Sequence, residues 1–152
     1  MKPENLNLVD EKRKTIWNTG IAKDDGFFLQ SWEWGSLQDK LGRHIWRLTD
    51  TRWSALLISY LLPFDKRYLY APRGPVLARV DDFEGFKNFL NSIKENIGDQ
   101  IIFLRVEPSI KDNRKINEYL SKLGFRQTVS AQPETTLVLD LNIVAFSGKL
   151  IS

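Results

Sequence analysis

The stretch Ala71-Pro72-Arg73-Gly74-Pro75-Val76-Leu77-Ala78 joins a strand-like segment to a helix-like one. Such junctions can hold a phosphate group on free backbone N–H groups at a helix start. Here two prolines remove two donors from any such cradle. The helix that follows opens with Asp81, Asp82 and Glu84, which repel an anion at the end where a helix dipole attracts one. No Gly-x-Gly-x-x-Gly or Gly-x-x-x-x-Gly-Lys loop occurs elsewhere, so the nucleotide-binding fingerprints are missing. His44 is the one histidine and there is no cysteine. That leaves little material for a histidine metal site or a Ser-His-Asp relay, and it excludes thiol catalysis, thiolate zinc sites and disulfides. His44 stands beside Trp46 in a strand-like segment and reads as a structural or surface residue.

At 152 residues the chain is sized for one domain that buries an ordinary hydrophobic core. Its 42% hydrophobic and 27% charged residues are those of a globular protein. The net charge of +3 helps to hold an anionic ligand without calling for nucleic acid, since no dense Lys/Arg run appears. Met1 to Lys14 carries no apolar stretch of a secretory signal. The longest apolar run, Ser54 to Phe64, is interrupted by Pro63 and falls short of the roughly 20 residues of a membrane helix. The expected location is the cytoplasm, with no membrane span.

The elements that must position any site read as follows. Asn5 to Val9 is a short strand and Asp10 to Trp17 a short polar helix. Ser31 caps a second helix whose apolar face is Trp34, Leu37 and Leu41, with Gly42 as its stop. Three strands follow: His44 to Leu48, the nearly continuous apolar Ser54 to Leu62, and Arg67 to Ala71 across the turn from Pro63 to Lys66. Asp81 and Glu84 make a capping-box-like pair before a helix striped by Phe83, Phe86, Leu90, Ile93 and Ile97 and stopped by Gly98. Gln100 to Val106 is a buried strand, and Asn113 to Leu123 is a helix with Ile116, Leu120 and Leu123 inward, stopped by Gly124. Phe125 to Val129 and Thr135 to Leu141 are the last strands.

This order predicts a single α/β domain over 1–141, a mixed sheet of the α+β type with helices on both faces, and a C-terminal tail over 142–152 outside the core. The arrangement resembles the Gcn5-related acyltransferase-like fold, in which acyl-CoA sits on the loop after the fourth strand. The prolines and acids of the corresponding loop here argue against that ligand, and no cofactor is expected.

Four stretches in order carry a closer resemblance: Phe28-Leu29-Gln30-Ser31-Trp32-Glu33-Trp34-Gly35, Tyr68-Leu69-Tyr70-Ala71-Pro72-Arg73-Gly74-Pro75-Val76, Phe103-Leu104-Arg105-Val106-Glu107-Pro108, and Gln132-Pro133 with Thr135 to Leu141. Together they resemble the first acyltransferase-like domain of the Fem family of peptidoglycan-bridge aminoacyltransferases. That resemblance implies transfer of an aminoacyl group from aminoacyl-tRNA to an amine on the stem peptide of a peptidoglycan precursor, UDP- or lipid-linked. Ester aminolysis needs a deprotonated amine and a stabilised oxyanion.

The resemblance marks Glu107, where the family commonly has Asp, as the catalytic candidate. It would orient the attacking ammonium or accept its proton; the alternative is an ion pair with Arg105 or Arg73. Arg73, Gly74, Arg105, Gln38, Lys40 and Trp34 are the substrate-binding candidates. Arg73 supplies a cation, or else belongs to a rigid turn set by Pro72 and Pro75. Where the family has a lysine on the second helix, this chain has Gln38, and Lys40 lies about 200° further round. Trp34, like Trp32, also reads as a core aromatic. Family members continue into a second domain of the same fold, so the chain is expected to be a truncated, frame-interrupted or excised first domain, inactive alone and able to self-associate through an exposed face. The alternatives are a stand-alone precursor-binding or regulatory domain and an acetyl-CoA-dependent N-acetyltransferase.

Overall fold

The apolar run Trp53–Leu61 forms the longest strand, β3, and the sheet is assembled around it. In the computed structural model the residues described are 4–5, 11–24, 27–79, 81–97, 101–108 and 114–133. In chain order these form β1 (Glu4–Asn5), α1 (Glu11–Lys23), a 3-10 turn over Phe28–Gln30, α2 (Trp32–Lys40), β2 (Ile45–Thr49), β3, β4 (Arg67–Ala71), β5 (Val76–Leu77), α3 (Phe83–Asn96), β6 (Ile101–Val106) and α4 (Arg114–Lys122). The strands make one mixed sheet ordered β1-β2-β3-β4-β6, with β5 also on β3. Every pairing is antiparallel except β4 with β6, which run parallel through the α3 crossover.

Alternation along β3 divides the core. Leu56 and Ile58 meet Trp17 and Ile21 of α1 and Trp32 of α2 on one face. Ala55 and Leu57 meet Phe89 of α3, together with Leu48, Trp53 and Ala71, on the other. Cross-strand stacking extends the first face toward β6: Tyr60 lies on Tyr68 at 5.2 Å and Tyr68 on Phe103 at 4.8 Å between ring centroids. Contacts of that kind are worth about 0.5–1.5 kcal/mol each beyond their area.

Several elements differ from the sequence expectations for identifiable reasons. The first helix continues past Trp17 to Lys23, because Trp17 and Ile21, one turn apart, are both buried. Ser31 does cap α2, accepting from the Trp34 N–H at 3.1 Å. The buried face of α2, however, is Trp32, Gly35 and Gln38, while Leu37 and Leu41 are exposed. A polar network replaces the apolar stripe there: the buried Arg47 guanidinium donates to the Trp32 carbonyl at 2.9 Å and lies 4.0 Å over the Trp32 ring. Burial lowers the Arg47 pKa to about 10, against the pull of Asp39 and Glu33. A Cβ on Gly35 would stand 2.6 Å from that guanidinium.

Asp82 rather than Asp81 caps α3, and Phe89, fully buried, is part of its inner face. The expected buried strand, β6, exposes Ile102 and Phe103. Gly124 ends α4 at φ +89°. Phe125 to Val129 forms no strand: the Phe125 N–H closes α4 on the Leu120 carbonyl, and the Val129 carbonyl accepts from Arg105. Of the remaining expectations, residues 6–9 of the first strand, Asp10, Thr135 to Leu141, the tail over 142–152 and positions 98, 100 and 113 lie outside the described residues.

Candidate functional site

The site begins with an irregularity in the sheet. Ile58 faces Tyr70 and Ser54 faces Val76, so four steps along β3 are matched by six on the opposing chain. The surplus is extruded as Pro72-Arg73-Gly74-Pro75 between β4 and β5, a bulge that terminates regular pairing. Pro72 has no N–H to offer its ladder neighbour. The side chain of Gln30, fully buried, takes its place: Oε1 accepts from the Leu56 N–H at 2.7 Å, and Nε2 donates to the Pro72 carbonyl at 2.6 Å and the Leu56 carbonyl at 3.3 Å. Trp17 Nε1 in turn holds the Gln30 carbonyl at 2.8 Å.

That plug explains the glycine. A Cβ on Gly74 would lie 2.7 to 3.0 Å from three atoms of the Gln30 amide. Arg73, just before it, has φ +52°, a left-handed conformation that non-glycine residues adopt rarely. The Gly74–Pro75 peptide is cis. The bulge therefore presents the Arg73 guanidinium at the carboxyl ends of the parallel pair, where Ala71 is in register with Val106. In open α/β sheets that is the usual place for a ligand.

Glu107 follows β6 at the same end. Its N–H bonds the Gly74 carbonyl at 3.2 Å, tying it to the bulge. Its carboxylate accepts from the Tyr70 hydroxyl at 2.6 Å, the Ala131 N–H at 2.7 Å and Arg105 Nη2 at 3.2 Å. Burial opposes ionisation of Glu107, but those donors outweigh it and hold the carboxyl below its ordinary pKa. Burial, and then the bond to Glu107, push the Tyr70 hydroxyl well above its usual value. Gln132 Nε2 donates to the same hydroxyl at 3.2 Å, and the Arg105 guanidinium lies 5.7 Å from the Tyr70 ring centre. Arg73 donates to the Pro133 carbonyl at 2.6 Å and lies 5.0 Å over the Phe27 ring.

A cleft of about 770 Å³ opens over this cluster. Arg73, Arg105 and Glu107 form its floor, α4 contributes Ile116 and Leu120, and Phe125 to Ser130 make the opposite wall. Its size suits a small ligand or a short peptide. A carboxylate held ionised by Arg105 and two further donors can orient a cation, while the Arg73 guanidinium can take an anion; a depressed pKa makes Glu107 a weak proton acceptor near neutral pH.

Of the residues singled out from sequence, Arg73, Gly74, Arg105 and Glu107 come together. Those of α2 do not join them and line no part of this cleft. The Trp34 ring packs edge-on against Phe28 at 5.6 Å, Gln38 is buried and accepts from the Arg43 guanidinium, and Lys40 is exposed in the last turn. Sequence reasoning misses Tyr70, Gln132 and Ala131. Tyr70 and Gln132 stand inside the motif stretches, yet no spacing rule links positions 70, 107 and 132, which only the fold makes neighbours.

The loop before α3 offers few free donors. The Ala78 N–H bonds the Arg52 carbonyl at 2.9 Å, that of Asp82 bonds Arg79 at 3.0 Å and that of Phe83 bonds Asp81 at 2.9 Å. Asp82 fills the helix N-terminus itself: Oδ1 accepts from the Gly85 N–H at 2.9 Å and the carboxylate is forked by Arg52, with Nε to Oδ2 at 2.7 Å. The Arg52 bond, against slight burial, lowers the Asp82 pKa. An incoming phosphate would meet this carboxylate in place of amide hydrogens. Among the described residues no cluster of three or more metal-ligating side chains occurs, and no helix is long and apolar enough to cross a membrane. Compared with known families and with curated proteins, the chain matches no family model and no curated sequence.

Proposed function

We propose that the chain is the acyltransferase-like lobe of a peptidoglycan-bridge aminoacyltransferase, in which the cleft over Arg73, Arg105 and Glu107 receives the stem peptide of a cytoplasmic precursor. The observation that carries this reading is the convergence of a strained arginine, a second guanidinium and an ionised carboxylate at the open ends of β4 and β6. It is supported by the four motif stretches, by an element order in keeping with a Gcn5-related acyltransferase-like fold, and by the internal bonding of the Ala78, Asp82 and Phe83 amides ahead of α3. In the reaction, the precursor's amine attacks the ester carbonyl carbon of aminoacyl-tRNA, the ester C–O bond breaks, and the amine's proton passes to the departing ribose oxygen. Glu107 would hold the incoming ammonium, which gives one proton to solvent before the amine attacks; the remaining chemistry would fall to a second lobe supplied by another domain.

A second reading, a precursor-binding or regulatory domain without catalysis, is favoured by one feature. Three donors hold Glu107 below its ordinary pKa, which suits binding a cation better than removing a proton. The acetyl-CoA reading is disfavoured by Asp82 at the start of α3 and by the pairing of β5 with β3.

Calorimetric titration with a UDP-linked muropeptide and with acetyl-CoA tests the proposal. Saturable muropeptide binding that is lost in Arg73→Ala, with no heat from acetyl-CoA, is the expected result. Saturable acetyl-CoA binding with an inert muropeptide overturns it. A transfer assay with charged tRNA adds a check: turnover by this chain alone removes the second reading and, from the first, the need for a second lobe.

A further inference from the structure

Residues 129–133, of which Val129, Ser130 and Gln132 line the cleft, bond to the three charged side chains of its floor. Arg105 Nη2 donates to the Val129 carbonyl, the Ala131 N–H donates to Glu107 Oε1 at 2.7 Å, and Arg73 Nη2 donates to the Pro133 carbonyl at 2.6 Å. Alternate residues thus offer carbonyl, amide and carbonyl, with bends at Ala131 and Gln132 between them. No side chain of Val129, Ala131 or Pro133 takes part in these bonds, and Val129 is 81% exposed. Three of this strap's described bonds to the site are made by its backbone; a fourth runs from Gln132 Nε2 to the Tyr70 hydroxyl at 3.2 Å.

The strap leaves the floor incompletely used. Arg105 Nε is buried and bonds no described residue, while Nη2 is shared between Val129 and Glu107. A guanidinium prefers a carboxylate, which takes two parallel N–H bonds, over a neutral carbonyl, which takes one. A peptide ending in a carboxylate would therefore satisfy a donor that the strap cannot. Four of the strap's five residues are exposed, the character of segments that open locally at low cost.

We propose that the cleft floor is a binding subsite for a short peptide with a free carboxylate, and that residues 129–133 are its built-in occupant, displaced when the peptide enters. Arg105 takes the carboxylate through Nε and a terminal nitrogen, Glu107 takes a main-chain or terminal N–H of the ligand, and Arg73 takes a further carbonyl. This rests on the preceding reading in using the same cleft, but it requires no aminoacyl transfer.

The test uses the full chain with N-acetyl-trialanine, as the free acid and as the C-terminal amide. The acid is expected to bind saturably and the amide at least about ten-fold more weakly, because only the acid completes the Arg105 fork. Ala131→Pro deletes the strap's N–H and loosens it, so the acid should bind this variant about ten-fold more tightly as the open fraction rises. In the unaltered chain, hydrogen exchange at the Ala131 amide should speed up when the acid is added at saturation, a readout that depends on no variant folding. Equal binding of acid and amide, no binding of either, or Ala131 exchange that is unchanged or slowed at saturation each overturns the proposal. Tripeptide binding with an inert muropeptide removes the aminoacyltransferase reading alone; the reverse removes the strap alone.

Discussion

Gln30 and Leu56 exchange two hydrogen bonds, side-chain amide against main chain, as two residues on neighbouring strands would. A side chain thereby completes the sheet where the chain opposite has bulged away, and the same amide sets how close Gly74 must lie. The position of Arg73 at the cleft is a consequence of that plug.

Replacing Gln30 with leucine keeps the volume but orphans the Leu56 N–H and the Pro72 carbonyl, both in the interior. Each buried unsatisfied group costs about 1–3 kcal/mol. Urea unfolding should show Gln30→Leu less stable by about 3 kcal/mol; a loss below about 1 kcal/mol would mean that the bulge is held by something else.

Two helix glycines should respond in opposite directions to alanine. A methyl group added at Gly20, inside α1, would find nothing within 4 Å. Gly20→Ala should therefore stabilise the chain by up to about 1 kcal/mol, through helix propensity and a less free unfolded state. Gly35→Ala places its methyl 2.6 Å from Arg47 and 2.9 Å from Leu56. It should destabilise by about 1–3 kcal/mol. Thermal unfolding of the two variants beside the parent decides this.

Glu107 has a folded pKa below its unfolded value. Its contribution is therefore fully present above the unfolded glutamate value of about 4.3, and it is lost as pH falls through the depressed folded value. Glu107→Gln should be less stable than the parent at a pH of about 7, and the gap should narrow as the pH is lowered below about 4. A gap that holds constant down to a pH of about 2 would show that the carboxylate's charge adds nothing to stability.

Arg73→Ala and Arg73→Gly both remove the guanidinium, but only glycine relieves the left-handed backbone at φ +52°. The glycine variant should be the more stable of the two by about 1 kcal/mol, as read by urea unfolding. Equal stability would mean that the bulge relaxes without strain.

The parts of this structure that are legible in the sequence follow from local rules. The continuous apolar run of β3, the Ser31 cap and the Gly124 stop are each set by residues within a turn or a strand of one another. Arg73, Gly74, Arg105 and Glu107 are legible as candidates because prolines and strand ends bracket them. The inner face of α2 is not: its burial of Gly35 and Gln38 depends on Arg47, a residue on another element. Nor is the fate of Phe125 to Val129, which reads as a strand but whose Val129 carbonyl meets Arg105 instead.

Sequence alone determined the composition of the site and the absence of thiols, and it supplied the prolines that end pairing at the tip of β4. Only the tertiary structure decided that Tyr70, Glu107, Ala131 and Gln132 are neighbours, that Gln30 plugs the bulge, and that Trp34, Gln38 and Lys40 stand apart from the cleft. The reason is physical. Propensity and periodicity act over a few residues, whereas a buried amide or carboxylate must find its partners wherever the folded chain brings them.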